Sequence, residues 1–338
     1  MEDFNQICKE YREKFDKRLY DFLAEQTALS HYSKDNVKYP YSLYDPLNYI
    51  MQGGGKRIRP LILFFSCEAF GGNIEQALDA AVAIEILHNF TLVHDDIMDN
   101  ADTRRGKETI HKKWDVNAAI LVGDELIGLS YRSLLRTKSR RIDEIVQAFT
   151  DGVIEVCEGQ ALDKEYENSS TVTLDDYVVM IRKKTAELLR ISAVMGAIIA
   201  DAGKEEIETI CNYSKYLGLA FQVQDDLLDV VADEREFGKK IGGDILEKKK
   251  TYLYLKSLEL SSMQESKALQ LSYNNSVPGI NKIEEIIGIY KSCGALDSAR
   301  KEIRKYTEEA NTYLSKLKNS SAKYKLEKFS EMLLNRNY

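Results

Sequence analysis

The sequence predicts an all-α protein, and three observations carry that prediction. Only four prolines occur in 338 residues. Each would cost about 3 kcal/mol inside a helix, so their scarcity favours long uninterrupted helices. Apolar residues recur at three- and four-residue spacing along most of the chain, the period of one helix face. No stretch shows the convincing apolar–polar alternation of a half-buried strand. The 44% hydrophobic fraction is enough for a sizeable core, and the 30% charged residues are interleaved in sign, as on outer helix faces. Nothing in the composition marks a boundary, so this length fits one large domain or two.

In order along the chain, Ile7, Tyr11, Phe15, Leu19 and Phe22 predict a helix over residues 5–25. Residues 30–47 are richer in Tyr, Pro, Ser and Asp and read as a linker leading into the next helix. The run LILFFSCEAF predicts a buried helix over 60–70, stopped by Gly71-Gly72. Asn73 or a neighbour caps a helix over 74–99 that carries Ala and Val on most sides and is therefore buried. An irregular stretch then leads into an apolar helix over 117–135, followed by an amphipathic one over 143–158. Thr173 caps the next helix, with Asp176 at the capping-box position. A long helix is expected over 205–231, and amphipathic helix from 251 to 338, interrupted at 274–279.

The chemistry concentrates at two acidic clusters. In EILHNFTLVHDDIMDNADTRRGK, residues 85–107, the helix brings Asp95, Asp96 and Asp99 together. Asp95 and Asp99 lie one turn apart on one face, with Asp96 beside them. Ionised carboxylates this close repel unless a cation sits between them. Oxygen-only donors suit Mg²⁺, which also takes waters and substrate phosphates. Arg104 and Arg105 follow at once and offer guanidinium forks to a phosphate. The pattern recurs at Asp225, Asp226 and Asp229 in FQVQDDLLDVVAD, and each cluster follows an apolar run rather than a polar face.

Other segments carry two readings each. Gly53-Gly54-Gly55-Lys56-Arg57-Ile58-Arg59-Pro60 lets backbone approach an anion beside three cations, or is a flexible basic loop. It is not a nucleotide P-loop, because Ile50 and Arg57 stand where that pattern needs Gly and Ser/Thr. His88 is seven residues before Asp95, so it faces the same way, yet it also fits a hydrogen-bonded core histidine. His94 and His111 lack that alignment and read as structural. Gln160 and Asp163 share a face beside a site or at a helix end. Lys184, before Thr185, is a snorkelling surface residue or an inward cation held by an anion. The glycine loop around Lys239, followed by Lys248-Lys249-Lys250-Thr251, reads as a lid.

The net charge of −7 argues against nucleic acid as partner, so an anionic substrate needs metal or a local basic patch. Five scattered cysteines without a CxxC read as free thiols in a reducing compartment. The charged, amphipathic opening segment lacks a secretory pattern, and the longest apolar runs are too short to span a bilayer. The expectation is a soluble cytoplasmic protein without a transmembrane segment.

The order GGGKRIRP, a histidine-bearing helix, DDIMD, RR, GQxxD, KT, FQxxDDxxD and a lysine-rich loop resembles the trans-isoprenyl diphosphate synthases, or polyprenyl synthetases. These include farnesyl and geranylgeranyl diphosphate synthases. The motifs cover residues 48–251. The resemblance implies a single isoprenoid synthase domain over 1–338, with 1–47 as N-terminal helix and linker and 252–338 as its C-terminal helices. That fold is a bundle of roughly ten or more helices around a deep central cavity, usually in a homodimer. It implies two aspartate clusters facing each other across the cavity mouth, with three Mg²⁺ holding an allylic diphosphate.

By matching position, Asp95, Asp96, Asp99, Asp225, Asp226 and Asp229 are the metal residues. The first and last Asp of the first cluster and the first of the second usually ligate directly. Lys56, Arg59, His88 and Arg105, sometimes with Arg57, match the isopentenyl diphosphate pocket. Arg104, Lys184, Thr185, Gln222, Lys239 and Lys249 match the allylic side, with Arg104, Lys184 and Lys239 joining the aspartates in catalysis. Where many relatives have Gly-Lys-x-Thr this chain has Lys248-Lys249-Lys250-Thr251, and Lys249 is chosen by its spacing to Thr251.

The implied reaction is Mg²⁺-dependent head-to-tail condensation of isopentenyl diphosphate with dimethylallyl, geranyl or farnesyl diphosphate. Thr91, Phe90 and Leu87, four, five and eight places before Asp95, match the floor that limits chain growth. One aromatic there implies a C15–C20 product, and the short DDxxD leans toward geranylgeranyl diphosphate. A class I terpene cyclase would share the first cluster but normally carries an Asn/Asp–Ser/Thr–Glu motif second. A non-catalytic helical subunit typically loses one cluster.

Overall fold

The computed structural model describes residues 3–31, 40–231, 242–274, 280–318 and 320–334. The helices run in order α1 (Phe4–His31), α2 (Tyr41–Met51), α3 (Ile58–Ala69) and α4 (Ile74–Met98). A hairpin of β1 (Thr103–Arg104) and β2 (Lys107–Glu108) follows, then α5 (Ile110–Lys113), α6 (Val116–Leu134), α7 (Ile142–Asn168) and α8 (Leu174–Ile181). A π-helical turn, Arg182–Ala186, joins α8 to α9 (Glu187–Ile199), and α10 (Lys204–Val231) comes next. Beyond it lie Gly243–Leu246, Tyr252–Leu260, Met263–Asn274, Ile280–Ser292, Ala295–Ser315 and Ser321–Leu334. Among the described residues no helix is long and apolar enough to cross a membrane.

The chain divides into two compact units, one of 1–153, 191–208 and 319–326, the other of 154–190, 209–318 and 327–338. In the first, α4 packs mainly against α6 and α3. Its start is fixed by Asn73, whose side chain accepts from the Glu75 N–H at 3.0 Å, as the sequence predicts. Ala77, Ala80, Ala81, Val82, Ala83 and Ile84 are all buried, so α4 is apolar on most sides and belongs inside the core. The apolar run of α3, Leu61 to Phe65, is fully buried as well. A buried helix therefore carries the first aspartate cluster at its C-terminal end.

In the second unit, Thr173 and Asp176 form the expected reciprocal capping box of α8. The core gathers Tyr177, Val223, Leu253, Leu269, Ile286 and Tyr290 from α8, α10 and the later helices. Its buried phenols find partners, as such groups must: Tyr273 with Tyr290 at 2.9 Å and Tyr213 with Ser330 at 2.8 Å.

Two local features depart from the helical reading. No strand alternation was expected, yet 103–108 form a hairpin, Thr103 opposite Glu108 and Arg104 opposite Lys107. Its loop residues Arg105 and Gly106 both have positive φ, 53° and 74°, the backbone of a type I′ turn. The π turn has no counterpart in the residue pattern, because Arg, Lys and Ala are all good α-helix formers.

Candidate active site

At the end of α4 the three aspartates are not equivalent. The Asp99 N–H donates to the Asp95 carbonyl at 2.8 Å, which puts the two side chains one turn apart. Both are half-buried, whereas Asp96 is only 3% exposed. Arg104 Nε donates to Asp96 Oδ1 at 2.6 Å. Burial pushes the Asp96 carboxyl above its ordinary range, and the Arg104 guanidinium works against that shift. The hairpin is what carries Arg104 to Asp96 and Arg105 to the glycine loop, where its Nη1 donates to the Gly54 carbonyl at 2.5 Å.

The cations of 56–59 divide in the same way. Arg57 is buried and turns inward, with Nε on Asp16 at 2.9 Å and Nη1 on the buried Glu85 at 2.8 Å. That pair holds the start of α3, where Arg57 adopts a left-handed backbone. Lys56 stays exposed and Arg59 half-buried. The pKa of His88 is held well below its ordinary value by burial, and then by the positive charges of Arg59, Arg105, Arg104 and Arg57. Its Nδ1 is buried and makes no hydrogen bond among the described residues. Positive charges close enough to depress His88 are a surrounding that favours an anion.

The residues matched to the chain-length floor lie one and two turns before Asp95. Leu87 and Phe90 are buried, and Thr91 Oγ1 donates to the His88 carbonyl at 2.8 Å. The Phe90 ring meets the His94 ring edge-on at 4.7 Å.

In the second unit the π turn presents Lys184 and Thr185. Two glycines hold it by close approach. A Cβ on Gly159 of α7 would lie 2.3 Å from Lys184 N, and one on Gly218 of α10 would lie 2.6 Å from Ala186 Cα. A π turn inside a longer helix frequently marks a functional position. Lys184 Nζ pairs with Asp163 at 2.5 Å, so it is an inward cation rather than a snorkelling one. Thr185 Oγ1 donates to Gln222 Oε1 at 2.7 Å, and Gln222 Nε2 donates to Asp226 Oδ1 at 2.9 Å. Asp226 Oδ2 accepts from the Tyr177 hydroxyl at 2.6 Å and the Tyr252 N–H at 3.0 Å. Burial and the nearby Asp244 push Asp226 up, while its donors pull it back.

Asp229 Oδ2 accepts from the Asp244 N–H at 3.1 Å, and its carbonyl from the Gly242 N–H at 2.8 Å. It thus secures the chain where 242–246 begins. Among the three lysines, Lys250 Nζ donates to the Tyr166 carbonyl at 2.6 Å and also to that of Ser169, covering the C-terminal end of α7. Lys249 pairs with Glu247 at 2.5 Å. Lys239 lies outside the described residues.

Among the described residues no group of three or more His, Cys, Asp or Glu side chains converges to hold an ion unaided. The donors of each cluster taken by itself nevertheless suit Mg²⁺, which takes one or two carboxylates and completes its shell with waters and substrate phosphates. Asp95 and Asp99 are carboxylates of that kind on one helix face, and Asp225 is a half-buried carboxylate on α10. Sequence reading missed Tyr177 and Glu85 as parts of these networks. Tyr177 is seven residues before Lys184 and Glu85 three before His88, so helical spacing held a signal for both.

Comparison with known proteins gives the family and the fold. Residues 40–290 match the family model described as Polyprenyl synthetase. The chain is similar to a short chain isoprenyl diphosphate synthase of Methanocaldococcus jannaschii, 39% identical over 82% of this chain and 83% of the relative. It superposes on the crystal structure of geranylgeranyl pyrophosphate synthetase from Pyrococcus horikoshii with a TM-score of 0.89 and 33% identity, covering 99% of this chain and 100% of that one. It also resembles geranylgeranyl pyrophosphate synthase from Corynebacterium glutamicum, solved with isoprenyl diphosphate and magnesium: TM-score 0.88, 26% identity, 97% and 99% covered. With matches of this extent, an all-α fold and the motifs in order, the chain belongs to the polyprenyl synthetase family of prenyltransferases.

Proposed function

We propose that this chain condenses isopentenyl diphosphate with an allylic diphosphate, head to tail and all-trans, to a C15–C20 product, with geranylgeranyl diphosphate favoured. The observation that carries the reading is His88, its buried Nδ1 without a hydrogen bond among the described residues, two turns before a DDxxD cluster on one buried helix, with Arg105 set against the Gly54 carbonyl of the basic loop. It puts a cationic pocket for one diphosphate beside carboxylates suited to a metal-bound one.

Asp95, Asp99 and Asp225 hold the metal, with three Mg²⁺ expected. Asp96, Asp226 and Asp229 hold their surroundings in place through Arg104, Gln222 and Asp244. Magnesium, when bound, neutralises the allylic diphosphate and stabilises the departing pyrophosphate. Arg104, Lys184, Thr185, Gln222, Lys239 and Lys249 orient that diphosphate and stabilise the charge that develops as its C–O bond ionises. Lys56, Arg59, His88 and Arg105 hold isopentenyl diphosphate so that its double bond meets the allylic cation. Pyrophosphate takes the final proton. Phe90, with Thr91 and Leu87, limits chain length.

The working protein is a cytoplasmic homodimer in this reading. Val116, Ile120 and Leu121 support it, because they are 47%, 43% and 57% exposed along one helix, α6, where a second copy would cover them.

Incubation with dimethylallyl and isopentenyl diphosphates plus Mg²⁺ tests the reaction. Pyrophosphate release only when both are present supports condensation. Release from a longer allylic diphosphate alone would show a terpene cyclase, and no release a non-catalytic subunit.

A further inference from the structure

Asp226 sits at the centre of a chain of hydrogen bonds whose polarity is fixed. The Asp226 carboxyl accepts from Gln222 Nε2, the Tyr177 hydroxyl and the Tyr252 N–H, so the amide group of Gln222 that faces it is the NH₂. The carbonyl oxygen of Gln222 therefore faces Thr185, whose hydroxyl donates to it at 2.7 Å. Tyr177, 1% exposed, holds the other oxygen of Asp226 at 2.6 Å, and the first N–H of the helix Tyr252–Leu260 reaches the same oxygen. Asp226 itself is 3% exposed, and both its oxygens are held by donors. Tyr177 lies two turns before Lys184 on the helical run that carries the π turn. One end of the network is thus anchored in the core, and the other ends on the Lys184–Thr185 turn.

We propose that Tyr177 and Asp226 are a positioning pair that locks the Gln222 amide, carbonyl oxygen toward Thr185, and so sets the Lys184–Thr185 turn for the allylic diphosphate. This rests on the reading of Thr185 and Gln222 as allylic-side residues. Neither Tyr177 nor Asp226 touches substrate in this account. Their effect passes through Gln222.

The test is a double-mutant cycle between Tyr177→Phe and Thr185→Val, read as pyrophosphate release with the allylic diphosphate varied. Each single change is expected to lower kcat/KM for the allylic substrate about tenfold, as leaving a buried polar group without its partner does. The KM for isopentenyl diphosphate should move less than about twofold, and the double variant should be no worse than the poorer single. Multiplying losses in the double variant, or equal shifts in both KM values, would overturn the pairing. If Thr185→Val alone left allylic kcat/KM intact, the allylic-side reading itself would fall. Should Tyr177→Phe not fold, as judged by circular dichroism, Asp226→Asn keeps the side-chain size and replaces it with the same readouts and outcomes.

Discussion

Replacing Gly159 by alanine sets two physical effects of opposite sign against each other. Gly159 is inside α7, where helix propensity alone makes alanine more stable by about 1 kcal/mol. Packing acts the other way. The added Cβ would lie 2.3 Å from Lys184 N and 2.7 Å from Lys183 C, backbone atoms that cannot rotate aside. Restoring a contact of about 3.5 Å opens the gap between α7 and the π turn by roughly 1 Å. Overpacking of this kind costs about 1–3 kcal/mol, so the net change is a loss of up to about 2 kcal/mol. The functional loss should be larger. Lys184 is paired with Asp163, four residues along α7, and a 1 Å misplacement of an orienting group costs about 10²-fold in rate. Thermal unfolding followed by circular dichroism, with kcat/KM for farnesyl diphosphate, measures both. A raised Tm with unchanged kcat/KM would refute the close-approach role of Gly159.

Further outcomes follow from the same geometry. Asp95→Ala and Asp225→Ala should each lower turnover about 10³-fold or more while the circular dichroism spectrum holds; near-normal turnover in either would count against its metal role. Phe90→Ala should lengthen the product, seen by chromatography, and an unchanged distribution would remove Phe90 as the floor. His88 has a folded pKa below its ordinary 6.5, so below that pH the unfolded chain takes a proton that the folded one does not. Its contribution is present above pH 6.5 and is lost as pH falls from there toward the folded value, by at most about 1.4 kcal/mol per pH unit. Urea unfolding from pH 6.5 to 5 should show a shallower decline in His88→Asn, and equal slopes would contradict the buried neutral ring.

Most helices were legible because apolar spacing and caps are local signals. Asn73 and Thr173 are caps that only their own neighbours need to satisfy, and both helices start where the residues say. Features decided by distant partners were not legible. Arg57 reads as a pocket cation, but Glu85, 28 residues away, draws it inward. Lys250 reads only as a neighbour of Lys249 in a lysine run until the carbonyls at the end of α7, more than 80 residues back, claim it. The hairpin at 103–108 has two-residue strands, too short to alternate, and its one local sign was Gly106 after Arg105. The aspartates were found by spacing, but the special place of the middle one in each cluster depends on burial, which spacing does not report.

The most direct measurement is anomalous scattering from crystals grown with Mn²⁺ and a bisphosphonate analogue of the allylic substrate. The account predicts metal peaks against Asp95, Asp99 and Asp225, with the bisphosphonate oxygens completing their shells. A bound bisphosphonate with no metal at either DDxxD motif would contradict it.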